Sequence, residues 1–325
     1  MLALGADDVR ALAAPAACAA AVRRAQVELS AGRAVQPLRL GTALPGGVEH
    51  LAMPAALPVD GTLALKSIVV APGNPARGRP RIGGVVLLMD AETGEVRALL
   101  DAGALTLART AAASAVATDA LARPDAAVLA VVGTGPQAGA HVAALRAVRP
   151  IAEVRVAGRA PERARAAAGA IAREHPGVDV RAVDDARGAV EGADVVCTVT
   201  SATAPVVDDA WLAAGTHVNA VGAHHPTARE LGGDTMARAV VVVDSRQAAM
   251  AESGECLIPI AEGRFGPEHV ATEIGEVLSG ARPGRASPDD LTVYVSLGQA
   301  VQDLAVAALV HERALAEGRG TVVAL

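Results

Sequence analysis

The sequence contains a single lysine, three cysteines, and one residue each of tryptophan, tyrosine and phenylalanine. It has no block of Lys/Arg and no interleaving of basic with aromatic residues, and its net charge is −6, which argues against a nucleic-acid partner. Hydrophobic residues make up 52% of the chain, but much of that is alanine. No charge-free apolar run of ~18 or more residues occurs, so no membrane-spanning helix is expected. Cys18, Cys197 and Cys256 are odd in number, far apart and without CxxC spacing. They read as buried free thiols, and no metal site is expected. The Ala-rich opening, Ala11–Val22, does not read as a secretory signal, because Asp7 and Asp8 stand where basic residues would. Acids there suit the first turn of an amphipathic helix, and the expected compartment is the cytoplasm.

Lys66 is the lone lysine, and every other basic residue is arginine. Codon bias explains the scarcity but not why this one position escapes it. Arginine cannot replace lysine where a titratable amine or a compact point charge is needed. The strand-like stretch Leu63-Ala64-Leu65-Lys66-Ser67-Ile68 puts Lys66 on the face opposite Leu65, and a cleft-facing amine is the expectation.

A length of 325 residues suggests two domains. From residue 126 onward, apolar runs read as buried parallel strands: Val128–Val132, Val154–Ala157, Val178–Val183, Val195–Thr198, Val218–Val221 and Val240–Val243. Helix-like stretches with a polar face, Gln137–Val148 and Pro161–Arg173, lie between the first pairs. The βαβαβ series predicts an α/β fold with a doubly wound parallel sheet of Rossmann type. Before residue 126, short candidate strands (Leu63–Val70, Val85–Asp90, Val96–Asp101) alternate with Pro/Gly-rich turns at Leu44–Gly47 and Pro72–Pro80, and Ala91–Gly94 reads as a hairpin turn. That predicts a separate mixed α+β domain. Leu105–Leu121 reads as a linking helix, and Gln299–Glu317 as a long helix stopped at Gly318. The expected division is 1–120, joined by the C-terminal helix 299–325, and a dinucleotide-binding domain over 121–298.

Gly133-Thr134-Gly135-Pro136-Gln137-Ala138 is a GxGxxA variant of the dinucleotide fingerprint, and it follows an apolar strand and opens a helix, as the motif requires. Gly133 permits the tight turn, Gly135 lets backbone approach a pyrophosphate, and Ala138 allows close helix–strand packing. The helix N-terminus then faces the phosphates. An acidic residue after the second strand would bind the ribose 2′-hydroxyl of NAD; the chain has Ala157-Gly158-Arg159 there. Arg159 can pair with a 2′-phosphate, so NADP(H) is expected as the preferred cofactor, with NAD(H) the alternative.

Further segments then carry a resemblance. Gln36-Pro37-Leu38-Arg39, Met53-Pro54-Ala55, Leu65-Lys66, Leu105-Thr106-Leu107-Ala108-Arg109-Thr110-Ala111, the Gly133 turn and Asn219-Ala220-Val221-Gly222 together resemble, in order and spacing, the ornithine cyclodeaminase/mu-crystallin family over nearly the whole length. The resemblance implies an N-terminal domain that dimerises through its sheet, with the C-terminal helix returning to it and the catalytic cleft beside the Rossmann domain. It implies that Arg39 and Arg109 hold the substrate's α-carboxylate, which suits the planar fork of arginine. Lys66 would sit against the substrate. Cofactor-binding positions would extend from Gly133, Thr134, Gly135, Pro136, Gln137, Ala138 and Arg159 to Thr110, Thr200, Val221, Gly222, Ser296 and Gly298.

The family's cyclodeaminases carry an aspartate shortly after the Asn-Ala-Val-Gly strand. Here the segment is Gly222-Ala223-His224-His225-Pro226, with His224 at the matching position. An imidazole cannot replace a carboxylate as the anchor for an ammonium group. The sequence therefore looks more like the branch that reduces cyclic ketimines such as Δ1-pyrroline-2-carboxylate. The expected activity is NAD(P)H-dependent reduction of a cyclic 2-imino acid to an L-amino acid such as L-proline. Lys66 is expected to polarise the substrate or to deliver the proton to the imine nitrogen, with His224 a secondary acid. Ornithine cyclodeaminase, an ammonia-releasing amino-acid dehydrogenase, and an NADPH-binding protein without turnover are the alternatives. The expected partners are a small imino- or amino-acid substrate and a second copy of the chain. Val295 and Gln299, which flank Ser296-Leu297-Gly298, depart from the commoner family residues without a sequence-level reason.

Overall fold

The structure is a computed structural model that describes residues 1–324. It divides into two compact units: Met1–Arg109 with Gln299–Leu325, and Thr110–Gly298. The first boundary falls inside the helix Ala102–Leu121, just after Arg109.

The first unit is built on β1 (Leu2–Leu4), β2 (Leu40–Leu44), β3 (Val48–Leu57), β4 (Thr62–Val70), β5 (Ile82–Asp90) and β6 (Val96–Asp101). With the C-terminal strand Thr321–Val322 they form a seven-stranded sheet in the order C-terminal strand, β1, β6, β5, β4, β3, β2. β2 to β6 run antiparallel in sequence, whereas β1 joins β6 in parallel, so the sheet is mixed. Asp90 makes the β5–β6 turn by accepting the amides of Glu92 and Thr93 (2.9 and 2.8 Å), so the hairpin expected at Ala91–Gly94 is present. The C-terminal helix Ala300–Glu317 packs on β3, β4, β5 and the helix Pro15–Ser30. It stops where Gly318 takes a positive φ of 65°, a conformation glycine reaches without penalty.

The expected single N-terminal helix is instead two, Ala6–Leu12 and Pro15–Ser30. Pro15 causes the break. It occupies the first position of the second helix and pushes Ala14 out of the helical region, to ψ 131°.

The second unit holds β7 (Val128–Val132), β8 (Glu153–Ala157), β9 (Asp179–Ala182), β10 (Val195–Thr198), β11 (His217–Ala220), β12 (Val240–Val243), β13 (Thr272–Glu273) and β14 (Thr292–Val295). Their order is β13-β12-β14-β11-β10-β7-β8-β9, and every pairing is parallel. Helices cover such sheets on both faces, which is why the central strands are apolar without alternation; Val195, Val196, Cys197 and Thr198 are all buried. The doubly wound α/β architecture expected from the sequence is therefore present. Cys18, Cys197 and Cys256 are buried free thiols, and burial pushes that of Cys197 up to about 12. Among the described residues no helix is long and apolar enough to cross a membrane.

Candidate functional site

In the first unit the site grows from one strand and one helix. β4 alternates, with Thr62, Ala64, Lys66 and Ile68 buried on the face that the C-terminal helix covers. Lys66 is thus on the core face with a side-chain exposure of 1%, and the expectation of a cleft-facing amine is corrected. Isolated burial of an ammonium is costly. The helix supplies the compensating charge: Asp303, also 1% exposed, places Oδ2 2.7 Å from Lys66 Nζ. Its other oxygen, Oδ1, accepts from Arg109 Nε at 3.0 Å, and Arg109 Nη1 donates to Gln302 Oε1 at 3.3 Å. Beyond Asp303, no acceptor among the described residues lies in hydrogen-bonding geometry to Lys66 Nζ.

Burial above all, then the neighbouring Arg109 and, more weakly, Arg39, lower the Lys66 pKa from 10.5 to about 7, against the opposing pull of Asp303. Two cations share one carboxylate here and a third, Arg39, is close enough to be felt, so the cluster attracts an anion. Of the residues expected in this unit, the structure brings Lys66, Arg109 and Arg39 together. Asp303 and Gln302 were missed by sequence reasoning. Asp303 lies in the first turn of its helix, where an acid is ordinarily explained by the helix dipole, and that hides its role.

Gln299, unexplained from sequence, caps this arrangement. Gln36 Nε2 donates to Gln299 Oε1, while Gln36 Oε1 accepts the Val301 amide at 2.8 Å. That amide is among those a helix N-terminus leaves without a partner in its own backbone. Gln36 thereby fixes the first turn, which carries Asp303.

In the second unit, Gly133 leaves β7 with φ 135°, and a Cβ there would lie 2.6 Å from the Val199 carbonyl oxygen, so only glycine fits. Gly135 precedes the helix Pro136–Arg146, and nothing lies within 4 Å of where its Cβ would point. The helix opens on Pro136, which has no amide hydrogen, and the Ala138 amide donates to the Gly135 carbonyl at 3.0 Å, so the turn offers the positive end of the helix dipole beside open backbone, which fits a pyrophosphate. Thr134 packs against Gly158, whose own Cβ would fall 2.5 Å from the threonine methyl. Arg159 follows β8 and is exposed.

The loops after β10 and β11 are joined by a carboxylate. Glu230, fully buried, accepts from Thr200 N (2.8 Å), Thr200 Oγ1 (2.6 Å) and Gly222 N (2.6 Å). Asp244 does the same after β14, accepting the Leu297 and Gly298 amides, both at 2.8 Å. Thr110 and Ser296 are buried, and Val221 and Gly222 are partly buried. His224 is exposed, with Nδ1 3.3 Å from the Gly222 carbonyl. Glu230 and Asp244 were not anticipated, because a carboxylate that binds backbone amides remote in sequence leaves no local pattern.

The signature of the ornithine cyclodeaminase/mu-crystallin family matches residues 2–318. The chain belongs to that family. Among family relatives, a Δ(1)-pyrroline-2-carboxylate reductase of Bacillus cereus is 38% identical over 324 residues, covering 98% of each chain. The structure of Thermococcus litoralis Δ(1)-pyrroline-2-carboxylate reductase, in complex with NADH and L-proline, superposes with a TM-score of 0.96 at 35% identity, covering 99% of this chain and 100% of that one. An archaeal alanine dehydrogenase dimer with bound NAD gives 0.93 at 33% identity, covering 100% and 99%. Family members thus bind nicotinamide cofactors, and the second unit of this family member has the turn that such a cofactor needs.

Proposed function

We propose that the chain is an NADPH-preferring reductase that converts a cyclic 2-imino acid of the Δ1-pyrroline-2-carboxylate or Δ1-piperideine-2-carboxylate type to the L-amino acid, acting as a homodimer in the cytoplasm. The observation that carries this reading is the buried Lys66–Asp303–Arg109 cluster: an amine with a pKa of about 7, beside a surplus of cationic groups. A cyclic imino acid offers the complement, a carboxylate for the arginines and a basic C=N nitrogen for the amine. Similarity to two pyrroline-2-carboxylate reductases supports the same substrate class.

A reduced nicotinamide, when bound, supplies the hydride that the imine carbon accepts. The chain's own groups do the rest. Arg109, braced by Asp303 and Gln302, presents its fork to the substrate carboxylate, and Arg39 adds charge. Lys66 transfers its Nζ proton to the imine nitrogen, which becomes the amine N–H as the carbon gains hydride. A group with a pKa near the working pH is well matched to that transfer. Burial excludes water that would compete for the proton. His224, exposed on the loop after β11, is the secondary acid in this proposal.

NADPH consumption measured against a panel of cyclic and acyclic imines, with ornithine as control, tests the activity. Stoichiometric oxidation with a cyclic imine is expected. Conversion of ornithine with no net cofactor oxidation would sink the reading in favour of a cyclodeaminase.

The NADP preference rests on Arg159. Arg159→Asp removes the partner of a 2′-phosphate and adds repulsion, and should weaken NADPH binding on the order of tenfold while sparing NADH. A wild-type protein that already binds NADH better would overturn the preference. Support for a homodimer comes from the sheet face opposite Lys66, where Leu63 and Leu65 of β4 pair with Met89 and Leu87 of β5 and share the face with Val69 and Val85, all partly or fully exposed. Sedimentation velocity should give the mass of two chains, and a monomer would refute it.

A further inference from the structure

We infer that Glu230 positions the nicotinamide half of the cofactor site by holding the loops after β10 and β11 in one register. The inference rests on the dinucleotide reading of the second unit. In a doubly wound sheet, ligands lie at the carboxyl ends of the strands, and a dinucleotide spreads its two nucleotides to either side of the first strand. That strand is β7, with β8 and β9 on one side and β10 and β11 on the other. Arg159, at the end of β8, marks the adenosine side, so the loops after β10 and β11 belong to the nicotinamide side.

Those loops meet with no slack. A Cβ on Gly222 would fall 2.2 Å from the Thr200 carbonyl oxygen and 2.7 Å from the Glu230 carboxylate. Donors from both loops converge on the two Glu230 oxygens: the amide and hydroxyl of Thr200, and the amide of Gly222. Only an acceptor on both oxygens satisfies all of them. The junction is itself anchored, because the Glu230 and Leu231 amides donate to the buried Glu255. Two buried acids side by side are a costly way to tie two loops if geometry there is unimportant. Among the described residues the Glu230 carboxylate is hydrogen-bonded to Thr200 and Gly222, in the loops after β10 and β11, so its influence is local to one half of the site.

Glu230→Gln tests this. The amide nitrogen of the new side chain must face one of the donors, so one bond is lost and the loops separate. Calorimetric titration of the full chain with NADPH and with 2′-phospho-ADP-ribose, which lacks nicotinamide, reads the two halves apart, with NADH and ADP-ribose run in parallel. NADPH affinity should fall on the order of tenfold or more while fragment affinity stays within about twofold. Equal losses for both ligands, or no loss for either, would overturn the role of Glu230. A wild-type chain that binds neither ligand would instead overturn the dinucleotide reading, and this inference with it. If Glu230→Gln does not fold, Thr200→Val, which removes one donor and keeps the carboxylate, should shift NADPH affinity the same way by a smaller factor. An unchanged NADPH affinity in Thr200→Val would then count against the inference.

Discussion

Replacing Lys66 with methionine should leave a folded protein that binds cofactor but turns over about 100-fold more slowly or worse, the scale of losing a positioned proton donor. Methionine matches the length of the lysine stem and removes a buried charge. Asp303 still keeps Arg109 as its partner at 3.0 Å, so no carboxylate is left alone. Lys66→Arg should fail as well, because a guanidinium stays protonated at any working pH and has no room in a position only 1% exposed. The pH dependence has a definite sign. A donor must be protonated, so kcat/KM should fall as pH rises through about 7, and this limb should vanish in Lys66→Met. A bound carboxylate offsets the repulsion from Arg109, so the corresponding limb in kcat should lie at higher pH. Linkage runs the same way as for a carboxylate whose pKa is lowered by folding, and opposite to that of a lysine whose pKa a partner raises. The native state loses the Lys66 proton near pH 7 and the unfolded chain near 10.5, so this group adds stability as pH rises across that window. Near-normal turnover by Lys66→Met would end the proposed mechanism.

Asp303→Asn should be damaging in two separable ways. It leaves Lys66 and Arg109 as buried cations without a counter-ion, and removing one member of such a cluster costs about 3–5 kcal/mol of stability. It also withdraws the charge that holds the Lys66 pKa up, so the amine loses its proton at lower pH than before. Activity at neutral pH should therefore fall on the order of tenfold or more, and acidification should recover part of it if the protein stays folded. A purely structural role predicts a loss that is uniform across pH. A complete pH–rate profile of the variant at a temperature well below its Tm separates the two.

Much of this was legible in the sequence. The buried strands β7, β8 and β10 declare themselves as apolar runs, and the glycine turn declares itself by its place after one of them. Lys66 stood out because arginine filled every other basic position. What escaped did so for physical reasons. β3 carries Pro54 in its middle, and proline reads as a strand breaker because it lacks an amide to donate. β1 and the C-terminal strand are too short to show a period. Periodicity placed Lys66 on the correct side of β4, opposite Leu65, but could not tell that this side was core. That depended on the helix Ala300–Glu317 bringing Asp303 from the far end of the chain. Glu230 was invisible for the same reason, because its partners are backbone amides, which every sequence has.

The burial of the one lysine bears on how the protein answers reagents rather than substrates. Apart from the α-amino group, the molecule has no other primary amine, so acylating or reductively methylating agents find almost nothing to modify on its surface. Opening that exposes the hidden amine also rehydrates it and returns its pKa from about 7 toward 10.5, so it reacts as an ordinary lysine whenever it becomes accessible. Intact-mass spectrometry after amine labelling should therefore show one fast adduct and one slow one. The rate of the slow adduct would be a clock for transient opening around Lys66, readable on the unmodified protein without engineering a probe into it.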